Sequence, residues 1–308
     1  MTPLRGRVLA VYVFCCAVWG STWLVIKVGL RDLPPFTFAS MRMGLACLLM
    51  APIAFAAGRG RVKVPRRSLG WIAFCGFLQI GVSYAFAFQA GLRIPSSLSA
   101  ILFASFPIFV GLFGHWLLPN EPLTPRAVAA ALTGLAGVAV IQGPEVVRAI
   151  SAKPGPLFVG GLFILGGSVA SALANVLNKK HFARVSPAQN VWGQTLVGAA
   201  FLLLLAASTE RGAPLRWTTT SVFSLGYLAV FGTALTFAGL FWLIPRVPVA
   251  VIGTIPLVDM VVATLLGAAI LGETLSARVF AGAALILVGV TLAARPARGT
   301  GSIAPGGR

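Results

Sequence analysis

Shifted by 152 residues, the chain meets itself. Lys27 falls on Lys179, Pro35 on Pro187, Glu121 on Glu273, Arg126 on Arg278, and Gly137-Val138 on Gly289-Val290. Each half of the 308-residue chain holds five apolar segments. Five is odd, so a second copy that follows directly must enter a bilayer upside down. Inverted duplication about a midplane site is a common plan of secondary transporters. The expected fold is therefore all-α and integral to the membrane: ten transmembrane helices, as two inverted five-helix repeats around a central cavity. The expected units are residues 1–148, residues 149–294 and a tail at 295–308.

Composition supports the membrane reading. Hydrophobic residues make up 58% of the chain and charged residues 10%, against about 25% charge in a soluble domain. A net charge of +18 raises the question of nucleic acid. The basic residues instead sit in short loops between apolar runs, where they act as orientation signals. No nucleic-acid partner is expected. Cys15, Cys16, Cys47 and Cys75 all lie in apolar segments without metal-ligand spacing. His115 and His181 are isolated. No metal, cofactor or catalytic cluster is expected, and the chain does not read as an enzyme. Arg5 and Arg7 before an apolar run resemble a signal peptide. The run to about Leu30 is too long for one and contains Trp19, Trp23 and Lys27, so it reads as a retained first span.

A helical span needs roughly 20 apolar residues. Ten segments qualify: 8–30, 35–57, 69–90, 95–118, 125–142, 157–178, 188–207, 222–243, 249–271 and 277–294. They are continuous, without the period of two of a β-barrel. Connections are short and marked by Pro or Gly, as at Leu33-Pro34-Pro35, Pro119-Asn120-Glu121-Pro122 and Gly143-Pro144. Alternate loops carry 15 and 7 basic residues, which predicts both termini on the cytoplasmic side. The Gly-, Pro- and Arg-rich tail from Arg295 reads as disordered.

Charges inside spans are expensive and so informative. Lys27 either faces the interior, where it would attract a carboxylate, or reaches the interface along its stem. Its counterpart Lys179, beside Lys180, reads as interfacial. Arg42, in Phe38-Ala39-Ser40-Met41-Arg42, needs polar partners. It either ties span two to neighbouring carbonyls or touches substrate. Its counterpart is Gln194, which keeps the hydrogen bonding and drops the charge. Asp259 is the acid placed well inside a span. It reads as a proton-coupling or cation group, or as a structural partner of a backbone group, Lys27 or Arg42.

Pro107 and Pro256 interrupt spans four and nine. Polar and aromatic residues recur in spans one (Ser21, Thr22, Trp23), three (Gln79, Ser83, Tyr84, Gln89) and six (Ser168, Ser171, Asn175, Asn178). They recur again in spans seven (Trp192, Gln194, Thr195) and eight (Thr233, Thr236). Singly they serve as helix–helix contacts; together they suggest a polar, aromatic-lined pocket. Gly134-Leu135-Ala136-Gly137 and Gly282-Ala283-Ala284 suit a close packing seam, within a protomer or between two.

Three stretches resemble the drug/metabolite transporter superfamily, EamA type. They are Trp19-Gly20-Ser21-Thr22-Trp23 with Lys27, Pro34-Pro35 and Arg42; Leu271-Gly272-Glu273-Thr274-Leu275 into Gly289-Val290; and Asn120-Glu121-Pro122-Leu123-Thr124 into Gly137-Val138. The resemblance implies alternating access to small metabolites such as amino acids, often in export, across a bacterial inner membrane. It implies a cavity lined by spans one, three, four, six, eight and nine, which hold Trp19, Trp23, Tyr84, Asn175, Trp242 and Asp259. It implies that the Glu273 motif caps and positions helix ends. The chain departs from the pattern at Met260, where relatives carry Pro after the acid, and at Pro119-Asn120, where they carry Leu-Gly.

The expected substrate contacts are Trp19, Trp23, Lys27, Arg42, Tyr84, Asn175, Gln194 and Trp242, with Asp259 as the coupling group. The expected partners are a small-molecule substrate and the bilayer, with the chain a monomer or homodimer. The rival functions are export of lipophilic drugs or cations, and a non-transporting scaffold or receptor.

Overall fold

The computed structural model describes residues 3–58, 65–91, 93, 99, 102–152, 154–271 and 277–294. Among these there is helix and no strand. Prolines start several helices, at Pro35, Pro125, Pro154 and Pro187. At the first helical position the missing N–H has no partner to lose, and the fixed φ suits the helix.

Spans one and two are single helices, Pro3–Gly29 and Pro35–Gly58. Span three is Arg66–Gly76, a π-helical stretch Phe77–Val82, then Ser83–Gly91. Span four is Phe106–Leu117, entered by a turn at Ala104 and Ser105. Span five is Pro125–Ala152, span six Pro154–His181 and span seven Pro187–Thr209. Span eight is Thr219–Ala229, a π-helical stretch Val230–Leu235, Thr236–Leu243 and a 3₁₀ turn Ile244–Arg246. Span nine is Val249–Gly253 and Ile255–Leu271, and span ten is Ala277–Ala294.

Seven described helices are long and apolar enough to cross a membrane. Shorter apolar stretches supply spans four, five and nine. Spans four and nine are each broken just before a proline, Pro107 or Pro256. A hydroxyl answers each break. Ser105 Oγ donates to Leu102 O at 2.6 Å, and Thr254 Oγ1 donates to Val251 O at 2.7 Å. The expectation that span five ends near Gly143-Pro144 is corrected: the helix runs on to Ala152. One interior proline removes one ladder bond, and that cost is tolerated here.

The pattern of packing is two-fold. Span two packs on seven, five on ten and four on nine. Span one packs on nine as six packs on four; one packs on eight as six packs on three; two packs on eight as seven packs on three. Exchanging the first five spans with the last five maps this set onto itself. The glycine seam lies within the chain, between spans five and ten. A Cβ on Gly137 would lie 2.6 Å from Gly282 O, and one on Gly282 would lie 2.6 Å from Gly137 O. Only hydrogen fits there, and the close approach follows. At the two-fold position the two breaks meet, with Gly253 against Pro107. Outward faces carry Leu48, Phe55, Leu204 and Phe223, all exposed, as surfaces that meet lipid rather than water must be.

Candidate functional site

Four acids have described side chains, and three of them tie helix ends. Glu210 accepts from Phe36 N at 2.7 Å, Thr37 N at 2.8 Å and Thr37 Oγ1 at 2.7 Å, capping span two. Asp32 Oδ2 accepts from Thr218 Oγ1 at 2.6 Å at the start of span eight. Glu121 Oε2 accepts from Val249 N at 2.7 Å, capping span nine. Its other oxygen pairs with Lys179, which also donates to Val247 O. Such caps satisfy donors that the helix itself leaves open and suit the positive end of the helix dipole. Glu121, in the first-half echo of the Glu273 motif, caps a helix in this way. Glu273 lies outside the described residues.

The fourth acid is Asp259, which is buried. It lies within electrostatic reach of Tyr12 and Cys16 of span one. The expected pairing with Arg42 is not made, because the bonds of Arg42 go elsewhere. Span one reaches Asp259 closely because residue 20 is glycine: a Cβ there would sit 2.7 Å from Asp259 O. Tyr12 OH also shares a 2.8 Å hydrogen bond with Thr254 Oγ1, at the break in span nine. Tyr12, Cys16 and Trp19 follow one another at helical spacing, so one stripe of span one faces spans eight and nine.

Arg42 is 3% exposed. Its Nε donates to Thr233 Oγ1 at 2.8 Å and its Nη2 to Gly232 O at 3.0 Å. Both acceptors lie in the π-helical stretch of span eight. A π turn disturbs the regular ladder and commonly marks a functional site. Here Gly232 O serves side chains from two spans, because Trp19 Nε1 also donates to it at 3.2 Å. Glycine eases this approach: a Cβ at 232 would lie 3.0 Å from Thr22 Cγ2 and 3.2 Å from Arg42 Nη2, and both side chains would have to give slightly. The guanidinium carbon lies 5.4 Å from the centre of the Tyr84 ring, within cation–π range. Phe88 sits 6.4 Å beyond Tyr84.

The other half carries amides where this half carries charge. Gln194 Nε2 donates to Asn178 Oδ1 at 2.8 Å and Asn190 Oδ1 at 2.7 Å. Asn190 Nδ2 donates to Asn178 Oδ1 at 2.8 Å. Gly76 lets span three press on this group, since a Cβ there would lie 2.7 Å from Gln194 Cα. Higher on span six, Asn175 Nδ2 donates to Ser171 O at 2.9 Å and to Gln79 Oε1 at 3.3 Å. Gln79 belongs to the π-helical stretch of span three. Asn175 Oδ1 and Gln194 Oε1 are buried acceptors with no hydrogen-bond partner.

The structure thus brings Trp19, Arg42 and Tyr84 together, and places Asn175 and Gln194 in the amide groups of the opposite half. Trp242 lies elsewhere, under the Arg246 guanidinium at 4.2 Å near the end of span eight. The side chains of Trp23 and Lys27 lie outside the described residues. Sequence reading passed over Gly232, Tyr12 and Asn190. Asn190 and Gln194 stand four apart on span seven and share a face, which could have found the first of them. Nothing local marks Gly232 as an acceptor.

The comparisons with known proteins agree with this architecture. A solved crystal structure superposes with a TM-score of 0.78 at 22% identity, covering 94% of this chain and 97% of that one; that likeness shows the fold. An uncharacterized inner membrane transporter of Escherichia coli K12, YedA, is 30% identical over 90% of this chain and 85% of its own. An uncharacterized transporter of Bacillus subtilis, YoaV, is 26% identical over 89% of this chain and 91% of its own. A protein of Salmonella typhimurium named a probable amino-acid metabolite efflux pump is 28% identical over 89% and 90%. The EamA-like transporter family matches residues 7–142 and 158–295. This multi-pass membrane chain belongs to the EamA-like transporter family.

Proposed function

We propose that the chain is a secondary transporter that exports small polar or amphipathic metabolites, amino acids among them, across the inner membrane. The units 1–148 and 149–294 would rock about a midplane cavity, with both termini cytoplasmic. The tail 295–308 lies outside the described residues. The observation that carries this reading is the polar interior wall. A guanidinium, two amide groups and a carboxylate lie buried among the spans. Membrane-buried polar groups of this density are costly unless they serve a wet path or each other. Support for the substrate class comes from the Salmonella relative, named for amino-acid metabolites, and from the pairing of one cation with aromatic rings.

In this proposal Trp19, Trp23 and Tyr84 form the apolar walls. Lys27 draws a carboxylate inward, Arg42 touches the substrate, Asn175 and Gln194 hydrogen-bond it, and Trp242 lines one end. Asp259 exchanges the coupling proton. A second reading, export of lipophilic cations, is favoured by one observation: Asp259 is a buried acid inside span nine.

Proteoliposomes test both. Flux of labelled amino acids that rises with a proton gradient, and loses that dependence in Asp259→Asn, supports the first. Flux of lipophilic cations in place of amino acids supports the second. No movement of either class sinks both.

A further inference from the structure

We infer that Arg42 is the anchor for the single carboxylate of the transported molecule, which carries an apolar or aromatic body. The inference rests on the transport reading and names the substrate chemistry of the same interior.

Three observations carry it. The guanidinium is buried, yet its partners are neutral: the Thr233 hydroxyl, the Gly232 carbonyl and the face of Tyr84. Among the described residues no carboxylate comes within ion-pair reach of it. A buried charge without a countercharge is unfavourable, and arginine cannot shed its proton cheaply. Its Nη1 makes no hydrogen bond among the described residues, so one edge of the fork is free.

The repeat supplies an internal control. Gln194 stands at the position that corresponds to Arg42. It bonds Asn178 of the neighbouring span six and Asn190 of its own span, with no charge at all. A tie between helices at this place needs only an amide. The charge of Arg42 is therefore surplus to packing and is answered by something that comes and goes.

One planar cation suits one carboxylate, held bidentately by two parallel N–H groups. A phosphate dianion would call for a second cation, and no other basic side chain contacts this cluster among the described residues. Tyr84, Phe88 and Trp19 frame the site with ring surface, which fits an apolar body next to the carboxylate. Nη2 and Trp19 Nε1 both rest on Gly232 O. An incoming carboxylate would draw at least the arginine off that carbonyl and so loosen spans one and two from span eight.

The test uses the full chain purified in detergent, read by melting temperature and tryptophan fluorescence. The probes are L-leucine, L-phenylalanine and L-threonine, their carboxamides, and inorganic phosphate. Wild type should bind at least one carboxylate about tenfold or more tightly than its carboxamide. Arg42→Gln should bind acid and amide alike, and Arg42→Lys should recover part of the preference. Equal binding of acid and amide by the wild type overturns the inference, as does preference retained in Arg42→Gln, tighter binding of phosphate, or no binding of any carboxylate. The wild-type comparison stands even if Arg42→Gln fails to fold. Flux in liposomes separates this from the transport reading. Movement of solutes without any preference for a carboxylate defeats the inference and leaves transport standing, whereas no movement of any solute defeats transport.

Discussion

Arg42 and Gln194 hold corresponding places in the two halves, and each stands beside a span with a π-helical stretch. Their surroundings differ in kind. Around Arg42 are a carbonyl, a hydroxyl and aromatic rings. Around Gln194 are two asparagines that complete an amide network. Arg42 ties span two to span eight of the other half, whereas Gln194 ties span seven to span six of its own half; the two also differ by one charge. Duplication preserved the position, and divergence gave the two sides of the interior different partners and different chemistry. A site that must hold a molecule with unlike ends benefits from that inequality.

The comparison breaks most severely if the close approaches on the two sides are filled. Gly76→Leu should cost the most. Even its Cβ would lie 2.7 Å from the Gln194 backbone, which cannot swing aside, and overpacking of this kind costs about 1–3 kcal/mol or more. A lower melting temperature with lost flux is the expected result; an unchanged melting temperature would show that spans three and seven are not held this closely. Gly232→Ala is expected to be milder in stability and sharper in function. Its new Cβ meets the far ends of Thr22 and Arg42, which can shift. Flux should fall several-fold while the melting temperature changes little, and equal loss of both would make Gly232 a packing residue only.

Thr233→Val removes the acceptor for Arg42 Nε. A buried donor left without a partner costs about 1–3 kcal/mol, and Thr233→Ser should restore most of it in the same melting assay. On the other side, Asn190→Ala should cost less, about 0.5–1.5 kcal/mol, because Asn178 remains to receive Gln194. If Asn190→Ala proves the more damaging, the charged side is not the more demanding one. Smallest of all is Glu121→Gln. It keeps an acceptor for Val249 N and loses only the charge toward Lys179, a partly exposed pair, so a change of about 0–1 kcal/mol is expected.

Much of the architecture was readable from residue order. Apolar length located the spans, since a bilayer has a fixed thickness. Pro35 and Pro187 announced helix starts, and Gly137 and Gly282 announced a seam. Arg42 and Asp259 stood out because ionised groups are rare at membrane depth. The π-helical stretches at Phe77–Val82 and Val230–Leu235 were not readable. They change the helical ladder by one residue, and no residue type encodes that shift. The cap from Glu121 to Val249 was hidden for a different reason: the two are 128 residues apart, and only packing brings them together. The break at Thr254 was half legible, since Pro256 marked the region without giving its place.

The sequence by itself determined the all-helical membrane chain, its doubled organisation and the short set of buried polar groups. These follow from composition, periodicity and the cost of moving charge out of water, which act locally. Only the tertiary structure decided that Arg42 and Trp19 share the Gly232 carbonyl, that Asp259 packs against span one at Gly20, and that Gln194 closes an amide network. Each of those choices depends on which helix faces which, and at what rotation. Side-chain hydrogen bonds reach only about 3 Å, so partners distant in sequence are fixed by packing alone.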